Sequence, residues 1–433
     1  MPLRNKGETM TLNRRDFLKI SGAAAATGAL YGCAGGSKAS GNVVVIGGGF
    51  GGATAAKYIR MWSNGGIDVT LVERNPSFVS CPISNLVLGG HKTMADITTG
   101  YDGLKKHGVR VVQGDAVAVD PVKRTVKLSS GQELSYDRLV VSPGIDFMFE
   151  SVPGLTPALA DSKILHAWKA GPQTVALRKQ LESMKDGGVY ALAIPKSPYR
   201  CPPGPYERAC MVASYFKAKK PKSKVLILDA NEDVQSKKGL FMKAWKDLYA
   251  GIVEYRPNHV ITGLDANTQT LKFEFADAVK ADVLNVVPGQ MAGGIAKAAG
   301  LITANNRWCG VDWRTMESVA HKNIHVLGDS TLSAPAMPKS GHMTTQHAKI
   351  AAGAIVALMS GEQAPDPMTI ANTCYSFVAG SSVVHVASVH TYDAKDKTFK
   401  TVPGSGGLSA VANELEAKYA MAWARNVWAD ALL

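Results

Sequence analysis

The stretch Val43-Val44-Val45-Ile46-Gly47-Gly48-Gly49-Phe50-Gly51-Gly52 decides the fold. Four consecutive apolar residues predict a strand that is buried on both faces, and the alanine-rich segment 53–60 predicts a helix. Gly47, Gly49 and Gly52 have the spacing of a phosphate-binding turn, in which glycines allow the tight turn, the close approach of a pyrophosphate and the close packing of the helix. A glycine-rich turn in another kind of α/β protein is the alternative.

An acidic residue follows at the position where such folds bind ribose. The predicted strand 67–72 ends in Glu73, and Arg74 comes next. Glu73 lies roughly twenty residues after the glycine turn, the spacing at which a carboxylate accepts hydrogen bonds from ribose hydroxyls. The sequence therefore predicts a dinucleotide site formed by the glycine turn, Glu73 and Arg74.

Composition and charge limit the functional classes. The chain has 433 residues, 46% of them hydrophobic and 19% charged, which allows two or three globular domains. The net charge is +13, but no block of Lys and Arg is interleaved with aromatic residues. An acidic protein partner or an anionic substrate is therefore favoured over nucleic acid, and a scattered excess of solvated lysines is the alternative. The ten histidines show no ligand spacing, so no metal site is predicted.

The first 40 residues have the features of an export signal. Asn13-Arg14-Arg15-Asp16-Phe17-Leu18-Lys19 precedes a short, weakly apolar run at 20–31, which resembles a twin-arginine signal and predicts a periplasmic protein. The run is too short to span a bilayer, and an ordinary amphipathic N-terminus is the alternative. Segment 30–33 loosely resembles a lipoprotein cleavage box, so a lipid anchor at Cys33 stays open.

The middle of the chain repeats the α/β pattern of the first part. A helix (172–184), a strand (189–194), a helix (206–219) and a strand (225–228) are predicted in this order. The turn after Ile194 is rich in prolines and bulky side chains instead of glycines, which blocks the approach of a pyrophosphate to the backbone. This second unit therefore has the shape of a nucleotide-binding domain without a nucleotide site, and NAD(P)H is not expected as the electron donor.

Three of the six cysteines lie in specific contexts. Cys201 comes just before a predicted helix, and the helix N-terminus together with Arg200 and Arg208 predicts a thiolate there. Cys374 opens the C-terminal part of the chain, and Cys81 follows the ribose-binding strand, where the far end of a bound cofactor reaches. The sequence contains no Cys-x-x-Cys-His motif, so any haem must be carried by another chain.

The chain resembles the flavoprotein subunit of flavocytochrome c sulfide dehydrogenase over essentially its whole mature length. The chain departs from that family at Gly310, where proline is expected, and at 343–347. The segments that carry the resemblance are Ser80-Cys81-Pro82-Ile83-Ser84-Asn85-Leu86, Cys201-Pro202-Pro203-Gly204-Pro205-Tyr206-Glu207-Arg208, Trp308-Cys309-Gly310-Val311-Asp312, Met337-Pro338-Lys339-Ser340-Gly341, Asn372-Thr373-Cys374-Tyr375-Ser376 and Glu416-Ala417-Lys418-Tyr419-Ala420.

The resemblance implies specific chemistry. It implies FAD attached to Cys81 through an 8α-thioether and a redox-active disulfide between Cys201 and Cys374. It also implies oxidation of sulfide, with electrons passed to a c-type cytochrome subunit that carries haem c. Glu207 is expected to carry protons and Lys339 to stabilise charge on the flavin. A non-covalent FAD beside an idle thiol, and a Glu207 that only complements the helix dipole, are the alternatives.

The predicted fold class is α/β, with two dinucleotide-binding (Rossmann-like) domains of the disulfide-reductase type and a C-terminal α+β interface domain. Strand 282–287 is expected to return the chain to the first domain, where Gly144 and Asp329 line the cofactor site. The segments are an export signal (1–40), the first part of the FAD-binding domain (41–160), the second Rossmann-like domain (161–285), the second part of the FAD-binding domain (286–364) and the interface domain (365–433).

Two other functions stay open. A sulfide:quinone oxidoreductase shares this architecture and would need an apolar surface that enters the membrane. The C-terminal helix contains Tyr419, Trp423 and Trp428 but also Glu414 and Lys418, which fits contact with a protein better. The third hypothesis is a non-catalytic flavoprotein that relays electrons or delivers sulfur to a partner.

Overall fold

The computed structural model describes residues 39–433, so Cys33 and nearly all of the predicted export signal lie outside the described residues. The described residues form one compact unit. It contains two α/β domains, each with its own main sheet, and a C-terminal sheet. Short paired strands complete the loops at Phe78–Val79 with Thr98–Thr99 and at Ile302–Ala304 with Trp308–Cys309.

The glycine turn follows a central strand of the first sheet. Val43, Val44 and Val45 are completely buried, as the unbroken apolar run predicts. Five neighbouring strands are parallel, and two antiparallel strands extend one edge. In spatial order the sheet contains Val311–Asp312, Glu317–Ser318, Ile324–Val326, Arg138–Val141, Gly41–Ile46, Ile67–Glu73 and Arg110–Gln113.

Two long helices pack against each other beside this sheet. Phe50–Trp62 begins directly at the glycine turn, and Gly341–Met359 begins at Ser340, whose hydroxyl accepts a hydrogen bond from the Met343 amide at 3.0 Å. Both helix N-termini therefore lie next to the predicted cofactor site. Other elements are the short helices Asn85–Leu88, Asp102–Lys106 and Gly294–Ala298 and the antiparallel strands Ala116–Asp120, Thr125–Leu128 and Glu133–Ser135.

The second sheet is parallel and has four strands. Its spatial order is Val253–Arg256, Lys224–Asp229, Val189–Ile194 and Val283–Val286. The helices of this domain are Pro157–Ser162, Pro172–Ser183, Gly204–Lys219 and Lys238–Leu248. An antiparallel extension contains Ile261–Asp265, Thr270–Phe273 and Val279–Lys280.

The chain returns to the first domain later than the sequence predicted. Strand Val283–Val286 pairs in parallel with Val189–Ile194 and so still belongs to the second sheet. The return follows through Gly289–Ala292, which pairs with Ile145–Met148. The prediction that strand 282–287 brings the chain back to the first domain is wrong, because its apolar residues are buried among the hydrophobic residues of the second domain.

The C-terminal part is an antiparallel sheet followed by one helix. Ile370–Ala379 and Ser382–Asp393 form a long hairpin, and helix Glu414–Leu432 packs against its second strand. The sheet is completed by Thr398–Thr401 and Gly407–Leu408. The first hairpin strand packs on helix Gly204–Lys219, and this contact carries Cys374 to the second domain.

The predicted fold class, two Rossmann-like units and a C-terminal α+β domain, is confirmed. Within residues 39–433, none of the helices combines the length and the apolar character that crossing a membrane requires. The same residues contain no cluster of three or more His, Cys, Asp or Glu side chains that could hold a metal ion.

Candidate active site

The glycine turn has the geometry that a bound pyrophosphate requires. Gly47 has a φ of 96°, in the left-handed region, and its amide donates to the Val72 carbonyl at 2.9 Å. A Cβ on Gly52 would lie 1.8 Å from the Gly47 carbonyl oxygen, so no side chain fits there. No heavy atom lies within 4 Å of the position of a Cβ on Gly49, which leaves open space beside the turn. The three predicted glycines therefore lie together as expected.

Glu73 lies beside this turn. Its Oε2 accepts a hydrogen bond from the Gly48 amide at 2.6 Å, and its Oε1 accepts from Asn75 through the amide and the side chain, both at 2.8 Å. Oε2 keeps one acceptor position for a ribose hydroxyl. Arg74 lies farther out, where its guanidinium pairs with Asp115 at 2.9 Å and is largely exposed. A role for Arg74 in binding the cofactor stays a prediction.

Asp329 and Gly144 line the same end of the first sheet. Asp329 Oδ1 is buried and has no hydrogen-bond partner among residues 39–433, and burial raises the pKa of this carboxyl. Gly144 has a φ of 67°, with no heavy atom within 4 Å of the position of a Cβ. A buried acceptor without a donor is costly, so Asp329 is suited to accept a hydrogen bond from a bound hydroxyl such as one of the FAD ribityl chain. These residues fit FAD.

Lys339 is buried behind this position. Its ammonium donates to the carbonyl oxygens of Asp329, at 3.0 Å, and Thr331, and it lies 3.7 Å from the centre of the Trp308 ring. Burial lowers the pKa of Lys339 to about 8. Two of its three donors are therefore used within the protein, and its contact with the flavin stays a prediction.

The structure brings Cys201 and Cys374 together. Cys201 lies in the loop before helix Gly204–Lys219, and its amide donates to the Lys339 carbonyl at 2.8 Å. Cys374 lies in the first strand of the C-terminal hairpin. Both are half-buried free thiols, and their side chains form a hydrogen bond with each other. Cys201 has a φ of 56°, a left-handed conformation that costs a non-glycine residue roughly 1–3 kcal/mol.

The predicted thiolate at Cys201 is wrong, because the charge is favoured on Cys374 instead. The hydrogen bond between the thiols, followed by burial and the charge of Glu207, raises the pKa of Cys201 well above its ordinary value. The same hydrogen bond lowers the pKa of Cys374 to about 7. The charge of Arg200 lowers the pKa of Cys201, but it is the smallest of these effects.

Arg208 is near Cys201, as predicted, but its donors are used by other groups. Its guanidinium donates to Asn85 Oδ1 at 3.2 Å and to the carbonyl oxygens of His166 and Ala167 at 2.8 and 2.6 Å. These acceptors use its donors within the core, where Arg208 is 3% exposed. It therefore ties the first and second domains together, and its hydrogen bonds go to these acceptors and not to Cys201.

Glu207 lies close to the cysteine pair and is 8% exposed. Its Oε1 accepts a hydrogen bond from the Phe377 amide at 2.8 Å, and its Oε2 accepts from Asn85 Nδ2 at 2.7 Å. Burial raises the pKa of this carboxyl above its ordinary value. A buried carboxyl with a raised pKa is suited to exchange protons, so the geometry permits the predicted role.

Cys81 lies near the loop that carries Cys201. Its Sγ accepts a hydrogen bond from Arg200 Nη2 at 3.0 Å and lies 3.5 Å from the Ala170 amide nitrogen. The Arg200 amide donates to Gln290 Oε1 at 2.9 Å, which holds the loop in place. Arg200 thus links the loop to Cys81, and the thioether stays a prediction.

The second domain lacks the features of the glycine turn. Its first strand, Val189–Ile194, is followed by the proline-rich segment instead of by glycines. Asp229, at the end of the next strand, is fully buried and accepts hydrogen bonds from Tyr206 at 2.7 Å and Tyr255 at 3.2 Å. The carboxylate that would face a ribose in a nucleotide site is therefore occupied by tyrosines.

Two residues of the site were not predicted to take part. Asn85 connects Glu207 to Arg208, and only its place within one of the resembling segments could have drawn attention to it. Lys237 is buried next to Cys374, with its ammonium 2.7 Å from the Cys374 carbonyl oxygen. The sequence does not indicate this, because Lys237 and Lys238 stand at the start of a helix like an ordinary pair of surface lysines.

Four family models match parts of the chain. The match to the twin-arginine translocation pathway signal sequence supports the predicted export. The matched models are the TAT (twin-arginine translocation) pathway signal sequence at 11–31, the pyridine nucleotide-disulphide oxidoreductase at 41–183, the sulfide dehydrogenase (flavocytochrome c) flavoprotein chain, central, at 174–288, and the flavocytochrome c sulphide dehydrogenase, flavin-binding, at 365–432.

Solved structures share the fold. The sulfide:quinone oxidoreductase of the bacterium Aquifex aeolicus superposes with a TM-score of 0.74 at 18% identity, covering 90% of this chain and 91% of that chain. Putidaredoxin reductase, in its covalent complex with putidaredoxin, superposes with a TM-score of 0.66 at 18% identity, covering 88% and 93%. These similarities show the fold alone, an α/β architecture with a C-terminal domain.

Similar sequences narrow the family. The chain is 25% identical over 303 residues to the mitochondrial sulfide:quinone oxidoreductase of Mus musculus. The alignment covers 67% of this chain and 65% of the mouse protein, so the chain spans a little under two thirds of that relative's length. It is 60% identical over 45 residues to the sulfide dehydrogenase (flavocytochrome c) flavoprotein chain of Chlorobaculum thiosulfatiphilum, which covers 10% of this chain and 92% of that sequence. Together with the central and flavin-binding models, this similarity shows that the chain belongs to the family of sulfide dehydrogenase (flavocytochrome c) flavoprotein chains.

Proposed function

We propose that this protein is an FAD-dependent oxidoreductase that oxidises sulfide to sulfur or polysulfide and passes the electrons to a c-type cytochrome subunit. The observation that carries the proposal is the contact between the side chains of Cys201 and Cys374, which come from distant parts of the chain and meet beside the predicted cofactor site. Family membership supports the substrate class.

The residues that would hold FAD are the glycine turn, Glu73 and Asp329. The open space at Gly49 would take the pyrophosphate, Glu73 a ribose hydroxyl, and the unpartnered Oδ1 of Asp329 a ribityl hydroxyl. The Cys81 thiol would form the proposed thioether. When bound, FAD supplies an acceptor for an electron pair that can release the electrons one at a time, as a haem requires.

The cysteine pair would act on sulfide in its disulfide form. Hydrosulfide attacks one sulfur of the Cys201–Cys374 bond, a new S–S bond forms to that cysteine, and the other cysteine leaves as a thiolate with the electron pair of the broken bond. In this exchange the incoming sulfur is oxidised and the sulfur that leaves as a thiolate is reduced by the same amount. The two-electron oxidation of sulfide is complete when that sulfur leaves the persulfide and both cysteines are reduced. No proton is needed when the anion attacks.

Glu207 would handle the protons of the reaction. Hydrogen sulfide must lose a proton to attack as the anion, and the persulfide must lose one before its sulfur is released. The hydrogen bonds from Asn85 and Phe377 hold the carboxyl beside the pair, and burial raises its pKa, which suits it to exchange protons.

The electron acceptor is proposed to be a separate periplasmic chain. The sequence contains no Cys-x-x-Cys-His motif, so haem c would be carried by the partner, and the twin-arginine signal supports a site of action outside the cytoplasm. The C-terminal domain would form much of the docking face. A lipid anchor at Cys33 lies outside the described residues and stays a prediction.

Anaerobic bleaching of the flavin by sulfide tests the chemistry. We expect sulfide to bleach the wild-type flavin, whereas Cys374→Ser and Cys201→Ser should lose this reaction and still be bleached by dithionite. Cys210→Ala is the matched control, because Cys210 is buried in helix Gly204–Lys219 outside the pair. Bleaching of the Cys374→Ser flavin by sulfide at the wild-type rate would favour a relay protein over this mechanism.

A second assay identifies the acceptor. After reduction by sulfide, the purified protein should pass electrons to a c-type cytochrome and much more slowly to a short-chain quinone. Fast reduction of the quinone and none of the cytochrome would support a sulfide:quinone oxidoreductase instead.

A further inference from the structure

A buried lysine faces the cysteine pair from the second domain. Lys237 is 4% exposed and has a φ of 55°, the left-handed region, at the start of helix Lys238–Leu248. Its ammonium donates to the Cys374 carbonyl oxygen at 2.7 Å and to Ser376 Oγ at 2.8 Å. Neither acceptor carries a charge, and Lys237 forms no ion pair with a carboxylate among residues 39–433.

An unpaired ammonium is costly at such a position. Lysine is seldom buried without a negative partner, and burial lowers the pKa of Lys237. The charges that oppose this lowering are, in order, those of Cys374, Glu207 and Cys201, with Glu416 of the C-terminal helix contributing less. The strongest negative partner available to Lys237 is therefore the Cys374 sulfur.

We infer that Lys237 is a positioning residue that selects Cys374, and not Cys201, as the thiolate of the reduced pair. The inference rests on the proposed function, because it assigns the charge within the pair that would react with sulfide. The two hydrogen bonds fix the ammonium to the strand that carries Cys374, so its charge acts mainly on that sulfur. Glu207 has the opposite effect, since its negative charge raises the pKa of both thiols.

The difference in charge between the two cysteines determines which sulfur hydrosulfide attacks. Hydrosulfide attacks Cys201 Sγ, the new S–S bond forms there, and the bond to Cys374 Sγ breaks. Cys374 leaves with the electron pair as a thiolate, and Cys201 keeps the sulfur as a persulfide. One negative charge enters with hydrosulfide and one remains on Cys374 beside Lys237, so charge is conserved. A thiol with a lower pKa is the better leaving group, which favours this direction over the reverse.

Alkylation at different pH values tests the inference without measuring turnover. The full-length holoenzyme is reduced with dithiothreitol, treated briefly with iodoacetamide, and digested so that the Cys374 and Cys201 peptides are quantified by mass spectrometry. In the wild type, Cys374 should react first, with its rate half-maximal near pH 7. In Lys237→Met this midpoint should rise by about one pH unit or more, as expected when a neighbouring positive charge is removed.

Lys238→Met is the matched control. Lys238 is the next residue, but its ammonium is exposed and pairs with Asp233 at the surface, so the midpoint should stay at the wild-type value. An unchanged midpoint in Lys237→Met, or faster alkylation of Cys201 than of Cys374 in the wild type, would overturn the inference.

A second variant tests the inference if Lys237→Met does not fold. Ser376→Ala removes one of the two acceptors that hold the ammonium, and the Cys374 midpoint should shift upward by a smaller amount. No shift in that variant would also count against the inference. The proposed function can fail without this inference. If sulfide does not bleach the wild-type flavin but the alkylation midpoint of Cys374 still depends on Lys237, the proposed sulfide chemistry is wrong and the assignment of the charge to Cys374 is correct.

Discussion

Replacing Glu207 with glutamine tests the hydrogen-bond chain that connects the three domains at the site. This chain has a fixed polarity: Arg208 Nε donates to Asn85 Oδ1 at 3.2 Å, and Asn85 Nδ2 donates to Glu207 Oε2 at 2.7 Å. Glu207 Oε1 accepts from the Phe377 amide at 2.8 Å. If the glutamine oxygen accepts from the Phe377 amide, the glutamine NH2 group faces Asn85 Nδ2, so two donors face each other and the hydrogen bond is lost. Rotation of the Asn85 amide does not help, because its oxygen would then leave Arg208.

The loss can be estimated from this geometry. One buried donor is left without an acceptor, which costs roughly 1–3 kcal/mol of the free energy of unfolding. Glu207 and Asn85 are 8% and 7% exposed, so water does not replace the missing acceptor. Glu207→Gln should therefore destabilise the protein by about that amount at acid pH.

The effect of Glu207→Gln should depend on pH. Burial raises the pKa of Glu207, so the folded protein favours the protonated acid. The stability that this group contributes is fully present below the pKa of an unfolded glutamate, ~4.3, and is lost as the pH rises through the higher folded value. Glutamine does not titrate, so the difference between wild type and Glu207→Gln should be larger at pH 5 than at pH 8.

Urea unfolding measures both effects through the shift of the midpoint. Glu182→Gln is the control, because Glu182 Oε1 accepts an exposed hydrogen bond from Arg178 Nε at 2.8 Å, and loss of an exposed pair costs roughly 0–1 kcal/mol. A Glu207→Gln protein as stable as this control at pH 5 would refute the reasoning about the polarity of the chain.

Three further substitutions test the cofactor site. Gly52→Ala should abolish FAD binding because its Cβ would lie 1.8 Å from a carbonyl oxygen, whereas Gly239→Ala, with open space at that position, should keep the wild-type ratio of flavin to protein. Cys81→Ser should release its flavin into the supernatant on acid precipitation, and retention in the pellet would argue against the thioether. Asp329→Ala is tested in the Cys81→Ser protein, whose flavin is not covalently bound. It should weaken FAD binding about ten- to hundredfold in a fluorescence titration, because a hydrogen bond to a carboxylate is lost. The same affinity for FAD with and without Asp329→Ala would exclude the proposed contact.

Those parts of the site that depend on local sequence could be predicted. The glycine spacing at 47–52 and the position of Glu73 follow from the requirements of a strand, a turn and a helix that are adjacent in the chain. The strand Val189–Ile194 agrees with its prediction because its apolar run is bounded by turn residues on both sides.

The electrostatics of the cysteine pair could not be predicted in the same way. Arg208 is close to Cys201 in sequence, but its guanidinium is directed to backbone carbonyls of another segment. Lys237 is far from Cys374 in sequence and reaches it only because the C-terminal hairpin packs on the second domain. The charge on each thiol is therefore decided by contacts between distant segments, which periodicity and spacing do not encode.

The most direct test of the central claim is to follow the bond between Cys201 and Cys374 by peptide mapping of the oxidised protein under non-reducing conditions. We predict a linked Cys201–Cys374 peptide that disappears when the anaerobic protein is treated with one equivalent of sulfide, together with one additional sulfur on a single cysteine of the pair. Two unlinked cysteines in the oxidised protein, or a linked peptide that sulfide leaves intact, would contradict the account.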